Sequence, residues 1–192
     1  MLLSNTRQNE RNEFMKKSII AIAMLSGISV NIQAATNGGS GTVTFTGSVI
    51  EAACSIKASD VNQTVDMGQV SVTTLTKYKQ STPRPFKITL EGCDMTNVPN
   101  GSVDVMFTGT TVASATTQLE PQGLAKGVAI EITNTNAGTN TPIKFGTATS
   151  IGSLVDGTNT LSFSAKMVPI DPAKPATPGD FTALANFALQ YN

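Results

Sequence analysis

The sequence has no histidine and only two cysteines in 192 residues, and both scarcities remove chemistry. Without imidazole there is no side chain that ordinarily titrates near neutrality and no histidine-based zinc set. Cys54 and Cys93 alone cannot build a four-thiolate site. Charge is scarce too: thirteen Lys and Arg balance thirteen Asp and Glu, so no basic surface for nucleic acid or an anionic membrane is expected. A glycine-rich phosphate loop and a close carboxylate pair are also missing, and Glu91 and Asp94 beside Cys93 read as solvated strand-end charges. Catalysis, a cofactor and a metal are therefore not expected.

Long apolar runs are missing as well. Ser18 to Val30, broken by Ser26, Gly27 and Ser29, falls short of the roughly 20 residues a spanning helix needs, and no later stretch approaches that length. With Met15-Lys16-Lys17 ahead of it and Ile32-Gln33-Ala34 behind, it has the layout of a secretory signal peptide. Residues 1–34 are read as a leader, with Met15 as the expected translation start and a long basic region from Met1 as the alternative. Export places the two cysteines in an oxidising compartment, so a Cys54–Cys93 disulfide is expected, with Cα atoms about 5.5 Å apart. A free thiol pair or half a metal site is the alternative, weakened by the lack of histidine.

What the chain does hold is Thr, Val, Ala, Gly and Asn, a composition that favours an all-β domain over residues 49–192. Ahead of it, Ala35 to Ile50 alternates: Gly39, Gly41, Val43, Phe45, Gly47 and Val49 on one parity, Thr42, Thr44, Thr46 and Ser48 on the other. Glycines repeated on one face of a strand suit the close approach of another backbone. Residues 35–48 thus read as a strand with no sheet of its own, made to be inserted; the alternative is an ordinary first strand with a glycine-rich lead.

Further strands are expected where period two recurs. Val61, Val65, Met67, Val70 and Val72 mark a strand region with a bulge at Gly68. Pro83-Arg84-Pro85 is expected to stop pairing before Phe86, Ile88 and Leu90 alternate up to Cys93, which would make the disulfide join the first and third core strands. Strands also read at Val103–Phe107, at Val128–Ile132 as a hairpin with Ile143 and Phe145, and at Leu161–Met167. Residues 108–127 read as a long connection and the proline-rich 169–178 as a stiff, unpaired loop. At the C-terminal end Phe181, Ala183, Ala185, Phe187, Leu189 and Tyr191 share one parity over a full strand length, an apolar edge that needs a neighbour.

These stretches resemble the structural pilins of the chaperone-usher pathway, most closely the major subunits of type 1-like fimbriae. The resemblance rests on G-T-V-T-F-T-G-S-V-I-E-A-A-C-S-I at 41–56, D-M-G-Q-V at 66–70, E-G-C at 91–93, G-T-N-T-L-S-F-S-A at 157–165, and an ending with Gly179 fourteenth from the last residue and Tyr191 penultimate. It implies an incomplete immunoglobulin-like β-sandwich of six core strands whose seventh is supplied by a neighbouring subunit. By position, Gly39, Gly41, Val43, Phe45 and Gly47 are the implied donor residues, and Gly179 with Phe181 to Tyr191 the implied acceptor strand. Asn192 would be the group anchored by a periplasmic chaperone, before an outer-membrane usher directs exchange for the next subunit. The implied protein is a shaft subunit of a bacterial surface fimbria, periplasmic in transit, with identical or homologous pilins as partners and any host receptor met only through a tip adhesin. The alternative is a minor linker or tip-proximal adhesive subunit. The proline-rich segment departs from the family pattern. A lone Tyr78 in the Lys77-Tyr78-Lys79 loop reads as plain surface rather than a sugar platform.

Overall fold

The computed structural model describes residues 41–192. The described residues fall in two units, the first ending at Ser48 and the second Val49–Asn192. In the second unit the chain forms β1 (Ser55–Ile56), α1 (Ala58–Val61), α2 (Val72–Tyr78), β2 (Arg84–Cys93), β3 (Ser102–Thr108), β4 (Thr111–Val112), β5 (Ala115–Leu119) and β6 (Gln122–Gly123). It continues through β7 (Val128–Asn134), a single 3-10 turn, β8 (Thr141–Pro142), β9 (Thr149–Ser153), β10 (Gly157–Pro169), β11 (Phe181–Thr182) and β12 (Asn186–Tyr191).

Two antiparallel sheets face each other in an immunoglobulin-like β-sandwich. The larger runs β1-β2-β10-β7-β5-β4 with β8 beside β7; the smaller runs β12-β3-β9. Alternation in sequence becomes alternation in burial: Leu161, Phe163, Ala165 and Met167 of β10 are buried while Ser162, Ser164 and Lys166 between them are only partly covered. Three phenylalanines tie the sheets together. The Phe107 ring of the small sheet meets Phe163 of the large one edge-on at 5.3 Å, and Phe86 stacks on Phe163 at 5.4 Å. On the outer surface, the Lys166 ammonium pairs with Glu131 at 2.8 Å across the β10–β7 ladder.

Several expectations fail, each for a local reason. No strand forms over Asn62–Val72: Asp66 Oδ1 accepts the Gly68 N–H at 2.8 Å, Gly68 adopts φ +66°, and the chain turns. Ser71 Oγ then accepts the Thr74 N–H and caps α2, so the Lys77-Tyr78 pair ends a helix rather than sitting in a loop. Val65, Met67 and Val70 still pack on the core, so their apolar side chains serve burial rather than pairing.

Pro85 lies inside β2 opposite Ser164 instead of stopping it. Among the described residues β1 reaches only Leu90 and Glu91, so the other flank of β2 at Pro85 carries no ladder that needs its missing N–H. Residues 108–127 hold the β4–β5 hairpin and β6 rather than a bare connection. The proline-rich stretch is not unpaired: Pro169 stands opposite Val128, and Lys126 and Thr177 exchange N–H···O bonds of 3.3 and 2.8 Å. Thr177 is one of the residues there with a free N–H to give.

Candidate functional site

The expected C-terminal strand is two strands. β11 pairs with β6 and β12 with β3, with Ala183–Ala185 between them, yet the alternation of half-buried and exposed side chains continues unbroken from Phe181 to Tyr191. Phe187, Leu189 and Tyr191 stand opposite Phe107, Val105 and Val103. Val103 and Val105 are 0 % exposed, whereas their β12 partners are only partly covered. β3 lies between β12 and β9, but β12 has no strand on its far flank among the described residues. Its apolar row, together with Phe181, Ala183 and Ala185, therefore packs on the core from one side only. Such an edge offers a line of backbone donors and acceptors beside apolar side chains, the pattern that receives an extended chain.

The edge is held at both ends. At one, the Asp180 carbonyl accepts the N–H groups of Leu124 and Ala125 at 2.9 and 3.2 Å. Gly179 lies so close that a Cβ there would sit 2.6 Å from Ala125 N and 2.7 Å from Leu124 C, which only glycine avoids. At the other, the Asn192 carbonyl accepts N–H bonds from Asn100 (3.1 Å) and Ser102 (3.2 Å), and its own N–H donates to Ser102 at 3.0 Å. Midway, a Cβ on Gly109 would meet Leu184 O at 2.8 Å, so the chain between β11 and β12 presses on bare backbone. Burial raises the Tyr191 hydroxyl above the ordinary tyrosine range.

Cys54 and Cys93 are joined, with Cα atoms 4.2 Å apart. The bond links the approach to β1 with the end of β2, the first and second strands rather than the first and third, because residues 62–72 supply no strand between them. Nearby, the Asp60 carboxylate ties α1 to β2. The Thr89 hydroxyl beside it, the Ser59 hydroxyl at 2.8 Å and the Thr89 N–H at 2.8 Å hold it below the usual aspartate range.

In the first unit, Gly41, Val43, Phe45 and Gly47 lie in a segment with no strand or helix, and Val43 and Phe45 are 75 % and 89 % exposed. Gly39 lies outside the described residues. Sequence reading missed Gly109, β6 and β9. Gly109 follows Thr108 directly, and glycine at a strand end was a signal available for a close approach. Among the described residues no helix is long and apolar enough to cross a membrane, and no group of three acidic or cysteine side chains could hold a metal.

The fimbrial protein family matches residues 43–192. The fimbria A protein of Serratia marcescens is 40 % identical over 177 residues, covering 92 % of this chain and 98 % of the relative. The major MR/P fimbria protein of Proteus mirabilis is 40 % identical over 183 residues, covering 92 % and 99 %. A subunit in a solved chaperone-usher pilus whose rod uncoils superposes with a TM-score of 0.71 at 34 % identity, covering 80 % of this chain and 96 % of that one. With a sandwich of this kind, a matched segment spanning the second unit and relatives aligned over nearly their full length, the chain belongs to the fimbrial protein family, as a structural subunit of surface fimbriae and not an enzyme.

Proposed function

We propose that this chain is a major, shaft-forming subunit that polymerises by donor-strand exchange. The observation that carries the reading is the half-buried row on β12, an apolar edge without a far neighbour among the described residues. The same chain carries, at Val43 and Phe45, an exposed period-two apolar segment of matching character. In the proposal the segment around Gly39 to Gly47 of one subunit lies along β12 of the next and closes its sandwich. Burying Val43 and Phe45 contributes about 1.5 to 3 kcal/mol each, and each added ladder bond about 1 kcal/mol net. Release would require reopening a dry sandwich, so the joint is persistent in time as well as stable.

A bare edge of this kind invites misassembly. Between export and assembly a periplasmic chaperone covers it and anchors at Asn192, and an outer-membrane usher directs the exchange. Adhesion to a host then belongs to a tip subunit that the shaft presents. Full-length alignment with a major fimbria protein supports the shaft assignment.

The test joins microscopy to one substitution. Antibody to this chain should label purified fimbriae along their length; label confined to one end would assign a linker or tip role. Phe45→Asp should leave the subunit folded but unable to join the fibre, because the charge would enter a dry groove. Normal fibres built from Phe45→Asp subunits alone would overturn donor-strand exchange.

A further inference from the structure

The strand registers define two ends of the sandwich, and their charges differ. One end holds the disulfide: the end of β2, the starts of β10 and β3, and the end of β12, since Gly157 stands opposite Cys93 and Tyr191 opposite Val103. Its connecting segments, residues 49–54, 91–101 and 153–157, carry Glu51, Glu91, Asp94 and Asp156 and not one lysine or arginine. All four carboxylates are on exposed residues, and Val155 beside them is 63 % exposed. The opposite end is built by α2 and the segments at the start of β2, the start of β7 and the end of β10. It carries Lys77, Lys79, Arg84, Lys126 and Lys174 against Asp66, Glu120, Asp171 and Asp180, Asp66 belonging to the turn at Gly68 that lies beside the Arg84 guanidinium. Among the described residues only Lys174 of the five bases pairs with a carboxylate, Asp171 at 3.5 Å.

The topology says which ends would meet. Every ladder in both sheets is antiparallel, and a strand continuing that pattern beside β12 runs from the disulfide end towards the lysine-bearing end. Its C-terminal residue, Ser48 of the incoming copy, would emerge at the lysine-bearing end of the receiving copy. Six residues later that incoming chain reaches its own Cys54, at its own disulfide end.

We propose that the acidic disulfide end of one copy docks against the basic end of the next, and that this contact sets the rate and polarity of fibre growth. The inference rests on the donor-strand reading. Opposite surface charges steer encounter and fix orientation more than they add affinity, while two acidic ends repel. Head-to-head encounters are thereby disfavoured before any strand is exchanged.

The test uses the full mature subunit, refolded from denaturant and followed by light scattering at increasing sodium chloride. Wild-type growth should slow by about tenfold or more between low and high salt. Glu51→Lys with Glu91→Lys, two carboxylates that make no hydrogen bond among the described residues, should slow growth at low salt and flatten the salt dependence. Mixing in Lys77→Glu with Lys126→Glu subunits should restore low-salt growth in copolymers. A fluorescent peptide spanning Gly38 to Ser48 reads the groove separately, and its uptake by the Glu51→Lys, Glu91→Lys subunit should equal wild type. Normal peptide uptake with growth insensitive to salt and to both reversals would overturn the docking contact while leaving strand exchange intact. Failure of the wild-type subunit to take up the peptide would instead overturn strand exchange.

Discussion

Leu189 and Val105 stand directly opposite one another in the β12–β3 ladder, and only Val105 is sealed from water. Their side chains face the same core, so the difference lies in neighbours: among the described residues Val105 has a strand on each side and Leu189 has one. Truncating each should separate the empty subunit from the filled one. Leu189→Ala should cost the isolated subunit less than the roughly 2 to 5 kcal/mol of a fully buried leucine, and should approach that range once a donor strand covers it. Urea unfolding of the subunit with and without the Gly38–Ser48 peptide measures both; equal costs in the two states would mean Leu189 gains no cover.

The Cys54–Cys93 bond closes a loop with a sequence separation of 39. On the loop-entropy treatment, replacing both cysteines with alanine should remove about 4 kcal/mol of stability. The expected result is a lower urea midpoint with the same fold by circular dichroism. An unchanged midpoint would show that the neighbouring β1–β2 pairing fixes that end unaided.

Asp60 gives the acid response a sign. Its folded value lies below that of an unfolded aspartate, about 3.9, because hydrogen bonds from Thr89 and Ser59 favour the carboxylate. Its contribution is therefore present above that unfolded value and lost as pH falls through the lower folded one. Asp60→Asn should be less stable at neutral pH, and its stability should fall less steeply below pH 4 or so. Parallel pH–stability curves for the two proteins would remove Asp60 from the account.

Gly179 is predicted to be intolerant for a steric reason. Gly179→Val would drive side-chain atoms into the backbone of Leu124 and Ala125, displacing β11 from β6. Melting temperature should fall, and amide exchange at Leu124 and Ala125, both donors to Asp180, should speed up. Unchanged exchange there would mean the contact relaxes freely.

The sandwich was legible wherever a strand has one wet face, because Val103, Val105 and Phe107, or Leu161, Phe163 and Ala165, announce themselves by period two. It was illegible where apolar residues pack without pairing. Val65 and Met67 alternate like a strand, with Val70 resuming on the other parity, but an Asp66–Gly68 turn and a Ser71 cap decide the backbone locally. Short ladders such as β6–β11 rest on close backbone approach at Gly123 and Gly179, and β9, broken by Gly152, lacks an apolar stripe. For the site, sequence parity picked out Phe181 to Tyr191 as one row. The break at Ala183–Ala185 was hidden because side-chain alternation carries straight through it while the pairing partner changes.

Donor-strand exchange requires that β12 lack a neighbour and that the chain's own N-terminal segment be able to supply one. The direct measurement is the melting temperature of a chain trimmed of residues 35–47 and extended after Asn192, through a short flexible linker, with a copy of Gly38 to Ser48. Linkage places the copy at roughly millimolar effective concentration, so the filled state should dominate. This chain should be a monomer that does not polymerise and should melt above the trimmed chain alone. Changing Val43 and Phe45 of the copy to Asp should abolish that gain. Equal melting temperatures for the trimmed, complemented and charged chains would contradict the account, because the sandwich would then be complete without a donor.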